Sequence, residues 1–515
     1  MKKTADFISA LEAAGVLVKT NPDISVIKAY DEVGADGAAC RVSSVTYNSK
    51  EAGAGSLFVC KGAHFEEQYL EDAIAGGAAC YVSEKEYGRG TKSCPEILVS
   101  DIRAAMPVIA ETHYGRLSDE LSMIGITGTK GKSTTTYFMR YILDDYMAAK
   151  GGERTAVCSG IDNYDGVIEE ESHLTTPEIM ELDKHMDNAL KSGIEYLTME
   201  VSSQGLRYNR VDTVEFAAGA FLNIGSDHIS AIEHPDFEDY LSAKLLLFSH
   251  CRKAAYNLDC EEQERIAEAS KDCPYVITFS QSDESANVYG YDVRSNEGIV
   301  SLRVRGKDIE GYPDFDEEFT LGTFGTINVE NALAALSMSA LLGVPAEFMK
   351  SGLAKAKSPG RMEVFYSEDK KRIAIVDYAH NKLSYEKFFD TIKDEFPDRK
   401  MIIVFGCPGG KAFARREELG TIAGRSCAYS IITEEDYGEE DVNKICREIA
   451  GFVEAVGGAY EIITDRVEAI KKAITLMDDE TILFLPGKGR ETREKRGTQY
   501  IDTPSDADVV EKYLK

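Results

Sequence analysis

Ile124-Gly125-Ile126-Thr127-Gly128-Thr129-Lys130-Gly131-Lys132-Ser133-Thr134 joins an apolar run to a stretch in which Phe138, Tyr141 and Ile142 recur at helical spacing. An apolar strand, a glycine-rich turn and a helix, in this order, form the context of a phosphate-binding loop. Gly128 and Gly131 let backbone N–H groups close around phosphate oxygens, and the helix N-terminus favours negative charge. Lys132 supplies a cation and Ser133 a hydroxyl for Mg²⁺. The stretch predicts a nucleoside triphosphate site; an ordinary glycine-rich turn is the alternative.

The composition sets limits on the remaining possibilities. A chain of 515 residues exceeds one hydrophobic core, and about three domains are expected. We find no run of about 18 apolar residues and no cationic-then-apolar leader, so we expect a cytoplasmic protein that neither spans nor binds a membrane. Eleven cysteines without a Cys-x-x-Cys pair favour reduced thiols over disulfides or zinc. A net charge of 58 − 88 = −30 argues against non-specific nucleic-acid binding.

The order of apolar runs and turns predicts three domains. Residues 1–115 form a small α/β domain without a phosphate loop, residues 116–357 form the central domain with the loop, and residues 358–515 form a third domain. The third domain has four apolar runs that each end in polar or glycine-rich residues and alternate with helical stretches. This alternation predicts a doubly wound sheet.

Polar side chains follow two predicted strands of the central domain. Residues 196–201 form one strand that delivers Glu200, and residues 216–223 form another that precedes His228. A carboxylate and an imidazole at neighbouring strand ends can share a divalent cation. A purely structural histidine is the alternative.

Asn328 and Asn331 have the spacing that puts two amides on one helical face. Paired amides suit adenine, which offers donor and acceptor edges. A helix N-cap followed by a buried asparagine fits the same pattern.

The form of the phosphate loop resembles that of the Mur ligase superfamily, whose ATP-dependent enzymes join an amino acid to a carboxylate. Ile126 stands where the common loop has its first glycine, which leaves the shorter Gly-Thr-Lys-Gly-Lys-Ser-Thr form. Met199-Glu200-Val201-Ser202-Ser203 and Asn223-Ile224-Gly225-Ser226-Asp227-His228 follow in the family's order. The resemblance covers nearly the whole chain. It implies an α/β protein with an N-terminal UDP-substrate-binding domain, a central P-loop ATPase domain with a mostly parallel sheet, and a C-terminal Rossmann-like domain that binds an amino acid.

The resemblance also implies a set of site residues. The catalytic residues are Lys132, Glu200, His228 and Lys244, and the metal ligands are Ser133, Glu200, His228 and Lys244 as its carbamate. ATP is bound by Gly128, Thr129, Lys130, Gly131, Lys132, Ser133, Thr134, Asn328, Asn331, Arg361, Asp377 and His380. The substrates are bound by Ser49, Thr175, Thr176, Ser202, Arg210, Arg416, Gly487 and Glu491. Tyr208 stands where the family usually has a glutamine, and Asn48 and Lys50 replace the acid and arginine that usually flank Ser49.

The implied reaction belongs to the branch of the family that adds the third peptide residue during peptidoglycan precursor synthesis. ATP and Mg²⁺ are the cofactors, and the partners are UDP-N-acetylmuramoyl-L-alanyl-D-glutamate and a free amino acid. An acyl phosphate forms first, and the amine then attacks it. We expect a monomer, because nothing in the sequence suggests a coiled coil or an apolar docking helix.

The amino acid is where the sequence departs from the family. The diaminopimelate-adding branch has an arginine where this chain has Gly438, so a bidentate carboxylate clamp is missing there. The acidic string around Glu435 and Asp436 suits a distal ammonium, which favours lysine, with ornithine next. A plain exposed acidic loop, diaminopimelate or another amino acid, and a paralogue with a different acceptor stay open. Two rivals also stay open: a folylpolyglutamate synthase, although about 120 residues precede the loop here, and a non-catalytic nucleotide-binding regulator.

Overall fold

The computed structural model of this protein describes residues 2–33, 41–62, 65–225, 229, 233–296 and 298–515. His228 lies outside the described residues, so its roles as a catalytic group and a metal ligand stay predictions. Helices alternate with the strands of mostly parallel sheets, and this confirms the predicted α/β class. No helix in the described ranges is both long and apolar enough to cross a membrane.

The chain folds as two compact units. The first comprises Met1–Thr136, Leu143–Thr278 and Ser337–Val344, and the second comprises Tyr137–Ile142, Phe279–Leu336 and Pro345–Lys515. The boundaries of the three predicted domains stay predictions, and each unit is described by itself.

The N-terminal part of the first unit is a five-stranded sheet covered by helices. Its elements are β1 (Lys2–Lys3), α1 (Thr4–Ala13), β2 (Leu17–Asn21), α2 (Ile24–Val33), β3 (Arg41–Val42), β4 (Ser44–Thr46), β5 (Ser56–Val59), α3 (Glu67–Ala75), β6 (Cys80–Ser83), β7 (Glu96–Val99) and α4 (Ile102–Tyr114). The strand order is β2-β7-β6-β5-β4, with only the β2–β7 pair antiparallel. Leu57, Val59 and Ile97 of the sheet pack in one core with Phe7 and Ile109 of α1 and α4.

The rest of the first unit contains a second sheet with the phosphate loop at one edge. Its elements are β8 (Ser122–Thr127), α5 (Lys132–Lys150), β9 (Ala156–Cys158), β10 (Asp162–Tyr164), β11 (Glu169–Glu171), α6 (Ile179–Lys191), β12 (Tyr196–Glu200), α7 (Ser203–Arg207), β13 (Ala218–Phe221), α8 (Phe237–Leu245), β14 (Lys253–Asn257), α9 (Gln263–Ala269) and β15 (Tyr275–Ser280). The strands β9-β12-β8-β13-β14 are parallel and lie in this order.

The central position of β8 explains where the polar residues meet. Met123, Ile124 and Ile126 are fully buried, as expected for a parallel strand that is covered on both faces. Since parallel strands end at the same edge of a sheet, the turn after β8 lies between the ends of β12 and β13. Those two ends carry Glu200 and Asn223.

The second unit begins with a three-stranded antiparallel ribbon. Its first elements are β16 (Val288–Asn296), β17 (Ile299–Gly306), β18 (Phe315–Phe324), α10 (Val329–Leu341) and α11 (Ala346–Lys355), and β16, β17 and β18 pair in sequence.

A doubly wound sheet completes the second unit. Its elements are β19 (Glu363–Tyr366), β20 (Ile373–Asp377), α12 (Lys382–Glu395), β21 (Lys400–Phe405), α13 (Ala414–Ser426), β22 (Tyr429–Ile432), α14 (Val442–Ala455), β23 (Tyr460–Ile462), α15 (Arg466–Leu476), β24 (Thr481–Pro486), β25 (Arg493–Arg496), β26 (Gln499–Asp502) and α16 (Asp506–Tyr513). The order is β19-β20-β24-β21-β22-β23, with β19 antiparallel to β20 and the other pairs parallel.

The four predicted runs are the four inner strands β20, β24, β21 and β22. Alternate residues of β20 pack in different cores: Ile375 lies with Phe388 and Phe484 on one face, and Val376 lies with Val510 on the other. This covering of both faces confirms the doubly wound prediction. The edge strands β19 and β23 were not predicted, because both are short and only partly buried.

Candidate active site

The phosphate loop, residues 128–134, runs from the end of β8 into the first turn of α5. Gly131 caps the helix with φ +86°, a conformation that side chains disfavour, and its carbonyl accepts the first helical hydrogen bond, from Thr135 N. Gly128 lies so close to Leu222 that a Cβ at position 128 would be 2.9 Å from that side chain. The two glycines are therefore required by the backbone turn, and the loop has the predicted strand–turn–helix geometry.

Asn223, directly after β13, holds the loop in shape. Its Oδ1 accepts a hydrogen bond from Lys130 N at 2.9 Å, its Nδ2 donates to Lys130 O at 3.1 Å, and its backbone carbonyl accepts from Thr129 N at 3.0 Å. The Thr129 hydroxyl lies 3.1 Å from the Tyr240 hydroxyl. Asn223 belongs to a motif named in the sequence, but no role was predicted for it. The one feature that could have suggested this role is an amide side chain at the end of a predicted strand.

Two lysines meet at one carbonyl of this loop. Lys132 Nζ donates to Gly128 O at 2.9 Å and to Thr129 O at 3.3 Å, and Lys244 Nζ of α8 donates to the same Gly128 O at 2.9 Å. The Lys244 side chain is only 1% exposed, so it is not the solvated surface charge that a lone helical lysine usually is. Two positive charges at the N-terminus of α5 make this corner attractive to a polyanion.

Glu200 and Ser133 are the two residues at this corner that could supply oxygen ligands to a Mg²⁺ ion. Both are buried, Glu200 at the end of β12 and Ser133 in the first turn of α5. Glu200 Oε1 accepts a hydrogen bond from Gly160 N at 2.7 Å, and no hydrogen bond within the described ranges engages Oε2. A hydroxyl and a carboxylate are hard oxygen ligands of the kind that Mg²⁺ prefers, so these residues fit the ion. Among the described residues no three His, Cys, Asp or Glu side chains gather to hold a metal.

The predicted substrate residues of the central sheet are connected to Glu200. The Thr176 hydroxyl lies 2.9 Å from Glu200 O and 3.0 Å from Ser202 Oγ, and Ser202 caps α7 by accepting from Gly205 N. Arg210 Nη1 donates to Thr176 O at 3.1 Å. Thr175 lies nearby, since a Cβ at Gly160 would be 3.5 Å from the Thr175 hydroxyl and 3.6 Å from Glu200 Oε1.

A buried charge cluster extends this row toward the N-terminal sheet. Glu178 accepts from Arg210 Nη2 at 2.9 Å and from Lys61 Nζ at 2.5 Å, and all three side chains are less than 20% exposed. The Lys61 ammonium also lies 4.5 Å from the centre of the Tyr47 ring. Burial lowers the pKa of Lys61, although Glu178 opposes the shift. Sequence reasoning assigned no role to Lys61 or Glu178, because their partners are distant in sequence.

Ser49 lies in the turn after β4, half-buried, and the structure describes no side-chain hydrogen bond for it. The preceding residues line a cavity of about 410 Å³. Tyr47 and Asn48 form one wall and Pro177, Lys184 and His185 form another. The cavity size is within the range of small-molecule sites.

Five predicted nucleotide residues belong to the second unit. Asn328 Nδ2 donates to Phe324 O at 2.9 Å, and Asn331 Nδ2 donates to Asn328 Oδ1 at 3.1 Å, so the two amides do share a face and also bond to each other. Asp377, at the end of β20, accepts from Met362 N and Ala379 N, both at 2.7 Å. The Arg361 guanidinium stacks on Tyr378, 4.6 Å from the ring centre, and His380 Nδ1 lies 2.8 Å from Tyr378 O.

The acidic loop, residues 434–441, follows β22 of the second unit. Glu434 accepts two hydrogen bonds from Arg496, at 2.7 and 3.1 Å, and Asp436 Oδ1 lies 3.3 Å from Lys488 Nζ. Gly438 has φ +57°, and its N–H and carbonyl bond to the β25–β26 hairpin. The position that carries arginine in the diaminopimelate branch is thus a left-handed turn residue here.

Glu435 differs from the rest of this loop. No hydrogen bond or ion pair in the described part of the chain engages its carboxylate, which lies so close to Gly487 that a Cβ there would be 2.5 Å from Oε2. Burial raises the pKa of Glu435 to about 8; Arg466 and Lys488 oppose the shift, and Glu494 and Asp436 add to it. Lys488 is already surrounded by Glu491 at 2.7 Å and by Glu494 and Asp436.

Arg416 is enclosed by carboxylates of the chain itself. Its guanidinium donates to Glu440 and Glu448, and the side chain is 2% exposed in total. The predicted direct contact of Arg416 with a substrate stays a prediction.

Comparisons with known proteins agree with this geometry. Residues 126–339 match the model of the Mur ligase middle domain, and residues 360–489 match that of the Mur ligase glutamate ligase domain. The UDP-N-acetylmuramoyl-L-alanyl-D-glutamate–L-lysine ligase of Enterococcus faecalis is 34% identical over 473 residues, which cover 91% of this chain and 90% of that protein. The enzyme of the same name from Streptococcus mutans is 35% identical and covers 91% and 92%.

Solved structures share the fold. A UDP-N-acetylmuramoyl-L-alanyl-D-glutamate–2,6-diaminopimelate ligase superimposes with a TM-score of 0.63 at 23% identity, over 92% of this chain and 94% of that one. MurF from Acinetobacter baumannii gives the same TM-score at 18% identity, over 99% and 98%. Together with the identity to curated relatives along nine tenths of the sequence, these matches show that the chain belongs to the Mur ligase family of ATP-dependent ligases.

Proposed function

We propose that this protein adds L-lysine to UDP-N-acetylmuramoyl-L-alanyl-D-glutamate, with hydrolysis of ATP to ADP and phosphate. Relatives named for this reaction are 34–35% identical to the chain. The observation that supports lysine most directly is the Glu435 carboxylate, which lies at the end of β22 without a bonded cation in the described residues. The reaction belongs to peptidoglycan precursor synthesis.

The phosphate loop prepares the first step by neutralising charge. ATP brings anionic phosphates to the corner where the Lys132 ammonium reaches Gly128 O. The backbone of the loop at Lys130 is already held by Asn223, so little reorganisation is needed when phosphate binds. The substrate carboxylate attacks the γ-phosphorus, the bond to ADP breaks, and an acyl phosphate remains.

Mg²⁺ is the expected cofactor at this corner. Ser133 and Glu200 would hold it, together with His228 and with Lys244 as its carbamate. The ion supplies charge neutralisation between the ATP oxygens. In the structure the Lys244 ammonium donates to Gly128 O. As a carbamate it would lose its positive charge, and the added carboxylate oxygens would be the groups available to a metal ion.

The muramoyl dipeptide would be held by the row that starts beside Glu200. Thr176, Ser202 and Arg210 present hydroxyl and guanidinium groups, and Glu178 and Lys61 fix the position of Arg210. Ser49 and Thr175 would contact the same substrate. Holding the carboxylate in line with the γ-phosphate supplies much of the catalysis in such a reaction.

Glu435 would select the amino acid by pairing with its distal ammonium. The pKa of about 8 means that the carboxyl is largely protonated near neutral pH in the free enzyme. An ammonium would pull this pKa down, so binding of lysine below pH 8 should release a proton. A glycine at position 487 lets the Glu435 carboxylate lie there, since a Cβ would be 2.5 Å from its Oε2. Glu491, the other acid predicted to bind substrate, is paired with Lys488 at 2.7 Å. The α-amine then attacks the acyl phosphate, and phosphate leaves.

The direct test is phosphate release by the purified protein with Mg-ATP, the UDP-linked dipeptide and single amino acids. We expect release with lysine and weaker release with ornithine. Release only with diaminopimelate would exclude the proposed role of Glu435. ATP binding without any amino-acid-dependent release would favour the non-catalytic regulator.

The carbamate has its own test. ¹³C-bicarbonate should give a carbamate signal in the NMR spectrum of the protein, and Lys244→Ala should lose both this signal and phosphate release. Ser242→Ala, an exposed change on the same helix, should keep both. Full activity of the Lys244 variant without bicarbonate would contradict the role.

A further inference from the structure

The Arg416 guanidinium forms the centre of a buried ion cluster in the second unit. Nη1 donates to Glu440 Oε1 at 3.0 Å and to Glu448 Oε2 at 2.5 Å, and Nη2 donates to Glu440 Oε2 at 2.7 Å. The guanidinium carbon lies 4.8 Å from the centre of the Phe413 ring. Both terminal nitrogens of Arg416 are therefore engaged, and one face is covered.

Glu440 connects three elements through its two oxygens. Besides Arg416 at the start of α13, Oε2 accepts from Gly410 N at 2.9 Å in the loop after β21. Oε1 accepts from Lys444 Nζ at 3.2 Å at the start of α14. The Arg416 guanidinium, followed by the Gly410 N–H, holds the pKa of Glu440 down at about 2. Glu440 is thus ionised at any physiological pH.

These contacts fix the far end of the acidic loop. At its near end Glu434 is paired with Arg496, and Asp436 Oδ1 accepts from Lys495 N at 2.7 Å. Glu435 lies between Glu434 and Asp436 at the near end, and the chain that follows it runs to the Glu440 anchor at the far end. The position of the Glu435 carboxylate therefore depends on both anchors.

An incoming carboxylate could reach Arg416 only by displacing Glu440. Displacement would remove the acceptor of the Gly410 N–H and leave Glu440, a charge with 15% of its side chain exposed, to find another partner. Breaking up a buried ion cluster by removing one partner is strongly unfavourable. The alternative, in which Arg416 stays paired and acts on the loop, requires no such loss.

We propose that Glu440 is a positioning residue for the ligase reaction: with Arg416 it holds the acidic loop so that Glu435 meets the incoming amino acid, and Arg416 does not bind the substrate carboxylate. This inference rests on the proposed function, since it assigns the loop to amino-acid binding.

The test is Glu440→Gln in steady-state phosphate release. We expect the KM for lysine to rise about tenfold, with kcat and the KM for ATP changed less than about twofold, because the loop loses its anchor but no reacting group. A fall in the KM for lysine would mean that Glu440 competes with the substrate for Arg416 and would overturn the proposal. An unchanged KM would overturn it as well. Glu417→Gln, an exposed neighbour of Arg416, is the matched control.

A second variant keeps the proposal testable if Glu440→Gln does not fold. Glu448→Gln removes one bond to Arg416 at a side chain that is 39% exposed, and we expect a smaller rise in the same KM. The same KM as in the unaltered protein would then contradict the proposal. Failure of the proposed function is distinguishable, because the unaltered protein would itself show no lysine-dependent phosphate release.

Discussion

The phosphate loop of the first unit and the acidic loop of the second unit both follow a parallel strand, yet they are held differently. The phosphate loop is shaped by its own glycines and by neutral hydrogen bonds to Asn223, and the ammonium groups of Lys132 and Lys244 donate to the Gly128 carbonyl. The acidic loop is fixed by ion pairs of its own carboxylates, Glu434 with Arg496 and Glu440 with Arg416. Its central carboxylate carries no bonded cation among the described residues. The first loop is therefore prepared for an anion, and the second is prepared for a cation.

This contrast separates the two halves of the reaction. Phosphoryl transfer would depend on the phosphate loop, whereas the choice of amine would depend on the ion pairs that surround Glu435. Changes in the two loops should accordingly affect different kinetic parameters.

The largest effect is expected for Lys132→Ala. Loss of the loop ammonium should lower the rate of ATP-dependent phosphate release about 100- to 1,000-fold, because it removes charge stabilisation at the γ-phosphate. The measurement is kcat at saturating ATP. Lys150→Ala, at the exposed far end of the same helix, should be nearly unchanged. A normal rate in the Lys132 variant would exclude the phosphate-loop assignment.

Glu435→Gln should act on the amino acid alone. Loss of a charged hydrogen bond of about 1.5–3 kcal/mol predicts a rise in the KM for lysine of about 10- to 100-fold, with the KM for ATP unchanged. Glu454→Gln, an exposed acid on α14, serves as the control. A rise in the KM for ATP without a rise in the KM for lysine would contradict the assignment of ATP binding to the phosphate loop and of amino-acid binding to the acidic loop.

Asn223→Ala should loosen the phosphate loop without removing a charge. We expect the KM for ATP to rise about tenfold, as lost hydrogen bonds of about 1–1.5 kcal/mol would require. The KM for lysine should stay constant. Ser122→Ala, at the opposite end of β8, is the comparison; an equal effect of both changes would contradict a specific role for the Asn223 side chain.

The smallest effect is expected on stability. The pKa of Glu435 is about 8 in the folded protein and about 4.5 when unfolded, so the folded state holds more protons between these values and loses stability as pH rises from about 4.5 to about 8. A glutamine at position 435 does not titrate, so the Glu435→Gln variant should become more stable relative to the unaltered protein as the pH rises over that range. The difference should be on the order of 1 kcal/mol, because Glu435 is partly exposed. Thermal unfolding at pH 5 and pH 8 measures it; a pH-independent difference would contradict the shifted pKa.

Most of the fold could be predicted from local sequence patterns. The four inner strands of the doubly wound sheet and the phosphate loop follow from apolar runs and glycine spacing, which depend on neighbours in sequence. The ten described cysteines are free thiols, as the absence of paired spacing predicted. The short edge strands β19 and β23 were not predicted, because an edge strand buries too little to leave an apolar run.

The candidate site was predictable only in part. Lys132, Glu200 and Lys244 could be named from motifs, but nothing in the local sequence marks Asn223, Lys61 or Glu178. Asn223 acts on a residue 93 positions away, and Lys61 and Glu178 pair across 117 positions. The enclosure of Arg416 by Glu440 and Glu448 is equally invisible in the sequence, since it results from the packing of α13 against α14.

The pairing of the acidic loop with the β25–β26 hairpin limits how such an enzyme can be engineered. A transplant of residues 434–441 alone into a relative without an arginine at the position of Arg496 would leave Glu434, whose side chain is 7% exposed, without its counter-ion. The acidic loop and the β25–β26 hairpin should therefore be exchanged together. Substrate range in such chimeras would then follow the pair of segments, although they lie more than 50 residues apart in sequence.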